Sequence, residues 1–361
     1  MTLLEADAEI ERLARLLGTA AGELGFLRRL HWRDIRDLRE QMALVMFEAD
    51  RQMLQRVAAA TRLVPPKITA VMAERAFGPL LCARVTGLLD PSRAVDIAGH
   101  LRADFLADVA ERIDPRRSSR VIAEIPPKQI AAITAELARR GDHVTMGGFV
   151  GHLSARALKA ALDVVDDATL LRAAAVVESK ASLDALVAII DEPRLEEIMV
   201  TATTDDLWRE ALEVLRHVSE RRRGVLGDLA AAQDDDVLTA LVRTAQRDGL
   251  WADVLPVTRA MSPDARARFA KLEAVQARPV LASIVDAAKQ RGLWGELLVL
   301  LPLLPAASRR QVAALGKGFG RSILADILHA AEREGLQEEL ADLLDTAGIE
   351  WPAGLARQLR G

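Results

Sequence analysis

Apolar residues recur at spacings of three and four through most of the chain. No stretch alternates with the period of two that a strand requires, and nothing reads as a βαβ unit. The pattern predicts an all-α protein. Within residues 32–62, Ile35, Leu38, Met42, Val45, Ala49 and Met53 share one face of a single long helix. Met42, Met46 and Met53 make that helix adaptable, because methionine is unbranched and polarizable. Residues 1–64 read as an N-terminal helical cap. Two readings of the long helix stand side by side: packing onto the helices that follow, or a homodimer or partner contact through residues 32–62.

The C-terminal half repeats itself, and a fixed period is the signature of stacked units. RLEEIMVTATTDDLWREAL starts at Arg194, VLTALVRTAQRDGLWADVL at Val237, VLASIVDAAKQRGLWGELL at Val280 and ILADILHAAEREGLQEELA at Ile323. Each copy lies 43 residues after the last, and the chain ends within the fourth. Leu195, Leu238, Leu281 and Leu324 recur with Ile198, Leu241, Ile284 and Ile327, which is one face of a helix. Gly249, Gly292 and Gly335 follow where that helix should close in a left-handed residue, and Asp206 holds the column in the first copy. A second helix runs through Leu212, Leu255 and Leu298, and a third begins near Ser219, Ser262 and Pro305. Three short helices in 43 residues fall in the HEAT/armadillo range, so residues 194–361 read as an α-solenoid, or superhelix, of four repeats.

Residues 65–193 carry a looser pattern. VPPK at 64–67 returns as IPPK at 125–128, and EPR at 192–194 sits comparably. Leu89-Asp90-Pro91 and Ile113-Asp114-Pro115 read as helix starts, with Asp as cap and Pro in the first turn. GLLDPSRAVDIAGHL, ERIDPRRSSRVIAEIPPKQIAAI and DDATLLRAAAVV together resemble the N-terminal intracellular domain of MgtE-type magnesium transporters. The resemblance implies a right-handed stack of short helices and nothing more. No family ligand maps onto a position here, so it carries no magnesium site, and no membrane-spanning run follows within the 361 residues.

Composition narrows the function classes. Half of the residues are hydrophobic but only 3% are aromatic, with no tyrosine, so base-stacking platforms are scarce. A net charge of −4 gives no bulk attraction to nucleic acid. Cys82 is the single cysteine, which excludes an internal disulfide and thiolate clusters. The longest apolar run, LLVLLPLLP at 297–305, is too short for a membrane span. The start carries acids where a signal peptide needs bases. A cytoplasmic protein is expected.

Catalytic patterns are absent from the sequence. The histidines lack the HExxH spacing, and no serine stands in a G-x-S-x-G turn. The segment DHVTMGGFVGHL at 142–153 reads either as close helix packing or as a place where a ligand touches backbone. GKGFGRS at 316–322 lacks the strand a phosphate loop needs and reads as a loop. Asp166-Asp167, Asp205-Asp206 and Asp234-Asp235-Asp236 read as helix caps, with cation binding as the alternative.

The candidate interaction surface consists of two repeat columns and the methionine face. Trp208, Trp251 and Trp294 stand at one repeat position, either wedged between units or lining an exposed edge. Arg223, Arg266 and Arg309 form a ladder on the third helix, either solvated or facing an acidic partner. With Met42, Met46 and Met53 these residues suit a non-enzymatic scaffold that binds a protein partner through a concave surface, with no cofactor. The alternative is a sensor or binding protein for an apolar small molecule or a divalent cation, with 297–305 as the apolar lining.

Overall fold

The structure, a computed structural model, describes residues 3–316 and 319–341. Among these every regular element is helical. The chain divides into two compact units, Met1–Ile189 and Ile190–Gly361.

The first unit holds α1 (Leu3–Leu17), α2 (Trp32–Thr61), α3 (Pro66–Met72), α4 (Gly78–Thr86), α5 (Pro91–Ala98) and α6 (Ala103–Ala110). It continues with α7 (Ser119–Glu124), α8 (Pro127–Arg140), α9 (His143–Phe149), α10 (Ala155–Leu162), α11 (Asp167–Ala175) and α12 (Leu183–Ala188). Proline sets many of the starts. Pro66, Pro91 and Pro127 occupy first-turn positions, where the missing N–H costs nothing. Asp90 caps α5 as its Asp-Pro pair predicts. Asp114-Pro115 differs: a turn follows, and the next helix begins at Ser119. The Asp114 carboxylate accepts from the Arg116 amide at 3.1 Å and pairs with Arg117 at 3.2 Å, so it closes a turn instead of capping a helix.

Helices in the first unit pack mainly on their second neighbours, α4 on α6, α6 on α8 and α8 on α10. The N-terminal helices do not simply cover one end of this series. α1 packs against α2 and α9, and α2 reaches on to α4. At 1.5 Å per residue, α2's thirty residues run about 45 Å, enough to cross the unit.

The second unit is more regular. It comprises α13 (Glu192–Thr204), α14 (Trp208–His217), α15 (Glu220–Ala232), α16 (Asp235–Asp248), α17 (Trp251–Ala260) and α18 (Pro263–Lys271). Then come α19 (Glu273–Gln276), α20 (Arg278–Arg291), α21 (Trp294–Leu298), α22 (Ala306–Leu315) and α23 (Arg321–Glu334). α13, α16, α20 and α23 begin 43 residues apart, and so do α14, α17 and α21. The four closures are superposable in detail. Gly249, Gly292 and Gly335 lie at φ 67°, 69° and 68°, and Asp206 takes φ 56° in their place. The strain at Asp206 is offset by bonds from Thr244 at 3.3 Å and Arg247 at 2.8 Å. The following leucine amides, Leu207, Leu250, Leu293 and Leu336, donate to the carbonyls of Ala202, Ala245, Ala288 and Ala331, each at 2.9 Å. Those four alanines are wholly buried.

Candidate functional site

The tryptophan column is structural. Each of Trp208, Trp251 and Trp294 opens a helix directly after the closure, and Trp251 is only 1% exposed. The indole N–H of Trp208 donates to Thr203 at 3.1 Å and that of Trp251 to Gln246 at 3.0 Å. Trp294 meets Phe319 edge-on at 5.7 Å. These rings therefore offer no exposed edge to a partner. A buried indole needs both a packed ring and a satisfied N–H, and for Trp208 and Trp251 the end of the preceding helix supplies the acceptor.

The arginine ladder is spent in the same way. Arg223 donates to the carbonyls of Leu215 and Val218 at 3.1 and 3.2 Å, and to Arg216. Arg266, one period on, donates to Thr258, Arg259 and Met261 at 2.9, 2.6 and 2.9 Å. Both guanidinium groups cap the unsatisfied carbonyls at the end of the preceding helix. Arg309 is half-buried on α22, where the preceding helix stops early at Leu298 and a 3-10 turn at Leu301–Leu303 intervenes. Leu297, Leu298, Leu300, Leu301 and Leu304 of the 297–305 segment are buried.

The methionine face of α2 is divided. Met42 packs on the cluster of Ile10, Leu13, Leu27 and Ile35 that joins α1 to α2. Met46 is half-buried and Met53 is 50% exposed. Of the acidic groups, Asp166 caps α11 through the Thr169 amide at 2.7 Å, and Asp234 stands at the start of α16. Asp205 and Asp206 lie between α13, which Asp205 caps at its C-terminus, and the start of α14 at Trp208. In 316–322, Gly316 follows α22 and Gly320 precedes α23, while Lys317 and Gly318 lie outside the described residues.

The strongest site in the structure lies in the first unit. Ala73, Ala83, Phe105 and Val109 form one buried cluster, Leu54, Ala58 and Val85 another, and Ile130, Ala157 and Ala161 another. Here an apolar cavity of about 190 Å³ is bounded by side chains from α2 through α12. Ile97, Ile122, Ile130, Ile133, Leu158 and Phe77 are on its wall, and the few polar atoms come from threonines and Cys82. Burial pushes the Cys82 thiol up to about 11, which keeps it protonated and slow, but not inert, toward alkylation.

A second cavity, of about 410 Å³, lies between α1, α2, α4 and α9, and its wall mixes apolar and charged side chains. Arg12, Arg15, Arg39, Arg84, Arg112 and Arg117 face it, with Glu111, Asp114 and Glu178. Part of this wall is a closed ion network. Glu9, 1% exposed, receives Arg12 at 2.8 Å, Arg36 at 3.0 Å and Arg39 at 3.0 Å. Arg39 continues to Glu178 at 2.8 Å. Arg15 grips Asp142 with two bonds, 2.9 and 3.0 Å, and donates to Thr145 at 2.6 Å. Burial pushes the Asp142 carboxyl up, but the Arg15 and Thr145 bonds outweigh it and hold it below the ordinary value. Burial likewise raises Glu178, and the charges of Arg39 and Arg12 reverse the sign.

The glycine-rich segment divides between the two readings the sequence left open. A Cβ on Gly147 would stand 2.7 Å from the Ala173 carbonyl, and one on Gly151 would stand 2.8 Å from the Ser179 side chain. These two permit close packing. Gly148 meets nothing within 4 Å and faces the second cavity. The sequence carried little warning of either cavity. The one local signal was the glycine segment; the arginines that converge on the cleft come from positions 12 to 117.

No family model matches the chain, and no curated protein or solved structure does either.

Proposed function

We propose that the protein is a binding protein, not an enzyme, and that the first unit holds an elongated apolar molecule in its interior. One observation carries this reading: the apolar cavity that α2 through α12 surround. Apolar surface left uncovered forfeits transfer free energy, roughly 25 cal/mol for each Å². A cavity of about 150 Å³ with a similar lining accepts benzene, and this one, partly open, is larger. Filling it with a hydrocarbon chain would recover contacts that these eleven helices leave unmade. Divalent cations suit neither its lining nor the arginine-rich cleft beside it. The expected stack of short helices, like that of the MgtE-type intracellular domain, gives a natural source for such an interior. The 43-residue spacing of helix starts supports HEAT/armadillo-like stacking in the second unit. A cytoplasmic location belongs to the same proposal.

The lone cysteine offers the test. Decanol added to the full chain should slow alkylation of Cys82 by N-ethylmaleimide severalfold. It should also raise the melting temperature with concentration, as any ligand of the native state does. An unchanged rate and an unchanged melting temperature across the solubility range of decanol would remove the reading.

A second reading keeps a protein partner, and the uncovered face of α2 favours it. Val45 is 69% exposed, and Leu38, Leu44 and Met53 are exposed around it. We assign this face to a second copy of the chain, antiparallel about Val45. That register sets Asp34 of one copy near Arg56 of the other and Leu38 beside Met53. Sedimentation equilibrium should then give a dimer that Val45→Glu converts to monomer. A monomer at every concentration would discard this pairing.

A further inference from the structure

We propose that the molecule held by the first unit is an anionic amphiphile. Its hydrocarbon chain occupies the apolar cavity, and its carboxylate or phosphate head sits in the arginine-lined cleft. This rests on the reading of the apolar cavity given above and adds to it the chemistry of the head.

The two cavities are neighbours. Ala110, Ile113 and Phe149 are on the walls of both, so a molecule that occupies both would pass between these three residues. Six arginines and three acids line that cleft, in a chain whose net charge is −4. The positive surplus is therefore local.

The arginines are not equivalent. Arg12, Arg15 and Arg39 are committed to Glu9, Glu11, Asp142 and Glu178. Arg84 and Arg117 are held more lightly. Arg84 reaches Asp50 through one nitrogen at 2.8 Å. Arg117 pairs with Asp114 at 3.2 Å while its guanidinium rests 4.2 Å above the Phe47 ring. Each guanidinium carries five N–H donors in a planar fork that matches an oxyanion. Stacking on Phe47 fixes the plane of Arg117 and leaves its edge for a ligand.

The opposite wall is bare where a head group would need room. Gly148 stands one residue from Phe149, and a side chain there would enter open space. Gly147, its neighbour, is the one required for packing. A neutral head would gain hydrogen bonds but no charge pairing from the arginines, and a cation would be repelled by them. An anion gains both charge and hydrogen bonds, close to the point where the chain must emerge.

Isothermal titration of the full chain with decanoate, decyl phosphate and decanol separates the possibilities. At least one anionic amphiphile should bind ten-fold or more tightly than decanol, and the margin should shrink as salt rises. The tighter of the two identifies the head as carboxylate or phosphate. Arg84→Gln with Arg117→Gln should weaken the anion at least ten-fold and leave decanol within two-fold. Should that double variant fail to fold, Gly148→Glu places a carboxylate in the cleft at an open helical position and should act the same way. Decanol binding as tightly as both anions, or anion binding indifferent to Gly148→Glu, would overturn the head-group assignment and leave the apolar reading intact. Binding of none of the three would remove both.

Discussion

The two units use the same materials to opposite ends. In the second, each 43-residue step places a buried alanine and a left-handed closure at matching points, and the first three add a buried tryptophan. In the first, the proline-marked starts fall at uneven intervals and the helices range from six to thirty residues. Side chains from α2 through α12 instead surround an apolar cavity. Regularity lets one solution to packing be used repeatedly. Irregularity leaves space, and α2 lies along it without filling it. The contrast also explains why Trp208, Trp251, Arg223 and Arg266 are poor candidates for function: their polar groups already bond to neighbouring side chains and carbonyls.

The comparison breaks first at Trp251. Trp251→Ala should lower stability by about 3–5 kcal/mol in urea unfolding, the usual cost of truncating a fully buried ring. Phe77→Ala, on the wall of the cavity and 37% exposed, should cost far less. Equal losses would deny that one unit is filled and the other hollow.

Enlarging an alanine probes the same difference from the other side. Ala245→Leu, in the buried column that receives the closure bond, should cost about 1–3 kcal/mol through overpacking. Ala110→Leu, between the two cavities, should leave stability unchanged or slightly raised while blocking decanoate. A marked loss at Ala110 contradicts the presence of room there.

Arg266→Ala should cost about 1–3 kcal/mol, because three carbonyls at the end of α17 lose a charged donor. Arg266→Lys should recover only part of this, since an ammonium cannot span all three. Full rescue by lysine would point to charge alone.

The smallest effect concerns pH. Asp142 is held below its ordinary value, so its contribution is present above about pH 4 and is lost as pH falls through its lowered folded value. Asp142→Asn should flatten that part of the acid stability curve of the first unit. An identical acid slope in the variant would show that Arg15 and Asp142 do not form the pair described.

Much of the second unit was legible because its signals are local and physical. A glycine at φ near +68° and a proline or serine at a helix start each report the conformation of the residue itself. The long helix at 32–62 was legible for a similar reason, as a sustained period along one face. What those residues do once folded was not. The same tryptophan spacing fits a buried wedge and an exposed edge, and only the position of the neighbouring helix decides between them. Asp114-Pro115 shows a local signal overruled, because Arg116 and Arg117 draw the carboxylate into a turn. Apart from the glycine segment, the cavity had no sequence signature, since it is defined by residues that come together from Val57 to Leu186. The acid-rich first helix likewise looked only like a poor leader, although Glu9 anchors three arginines inside the unit.

Methyl NMR of isoleucine-labelled protein tests the central claim most directly. Ile97, Ile113, Ile122, Ile125, Ile130 and Ile133 line the cavity, whereas Ile10, Ile35 and Ile284 are buried elsewhere. Titration with decanoate should shift the first set, saturably and together, and leave the second unmoved. Shifts spread evenly over both sets, or none in the first, would contradict a hollow, ligand-holding first unit.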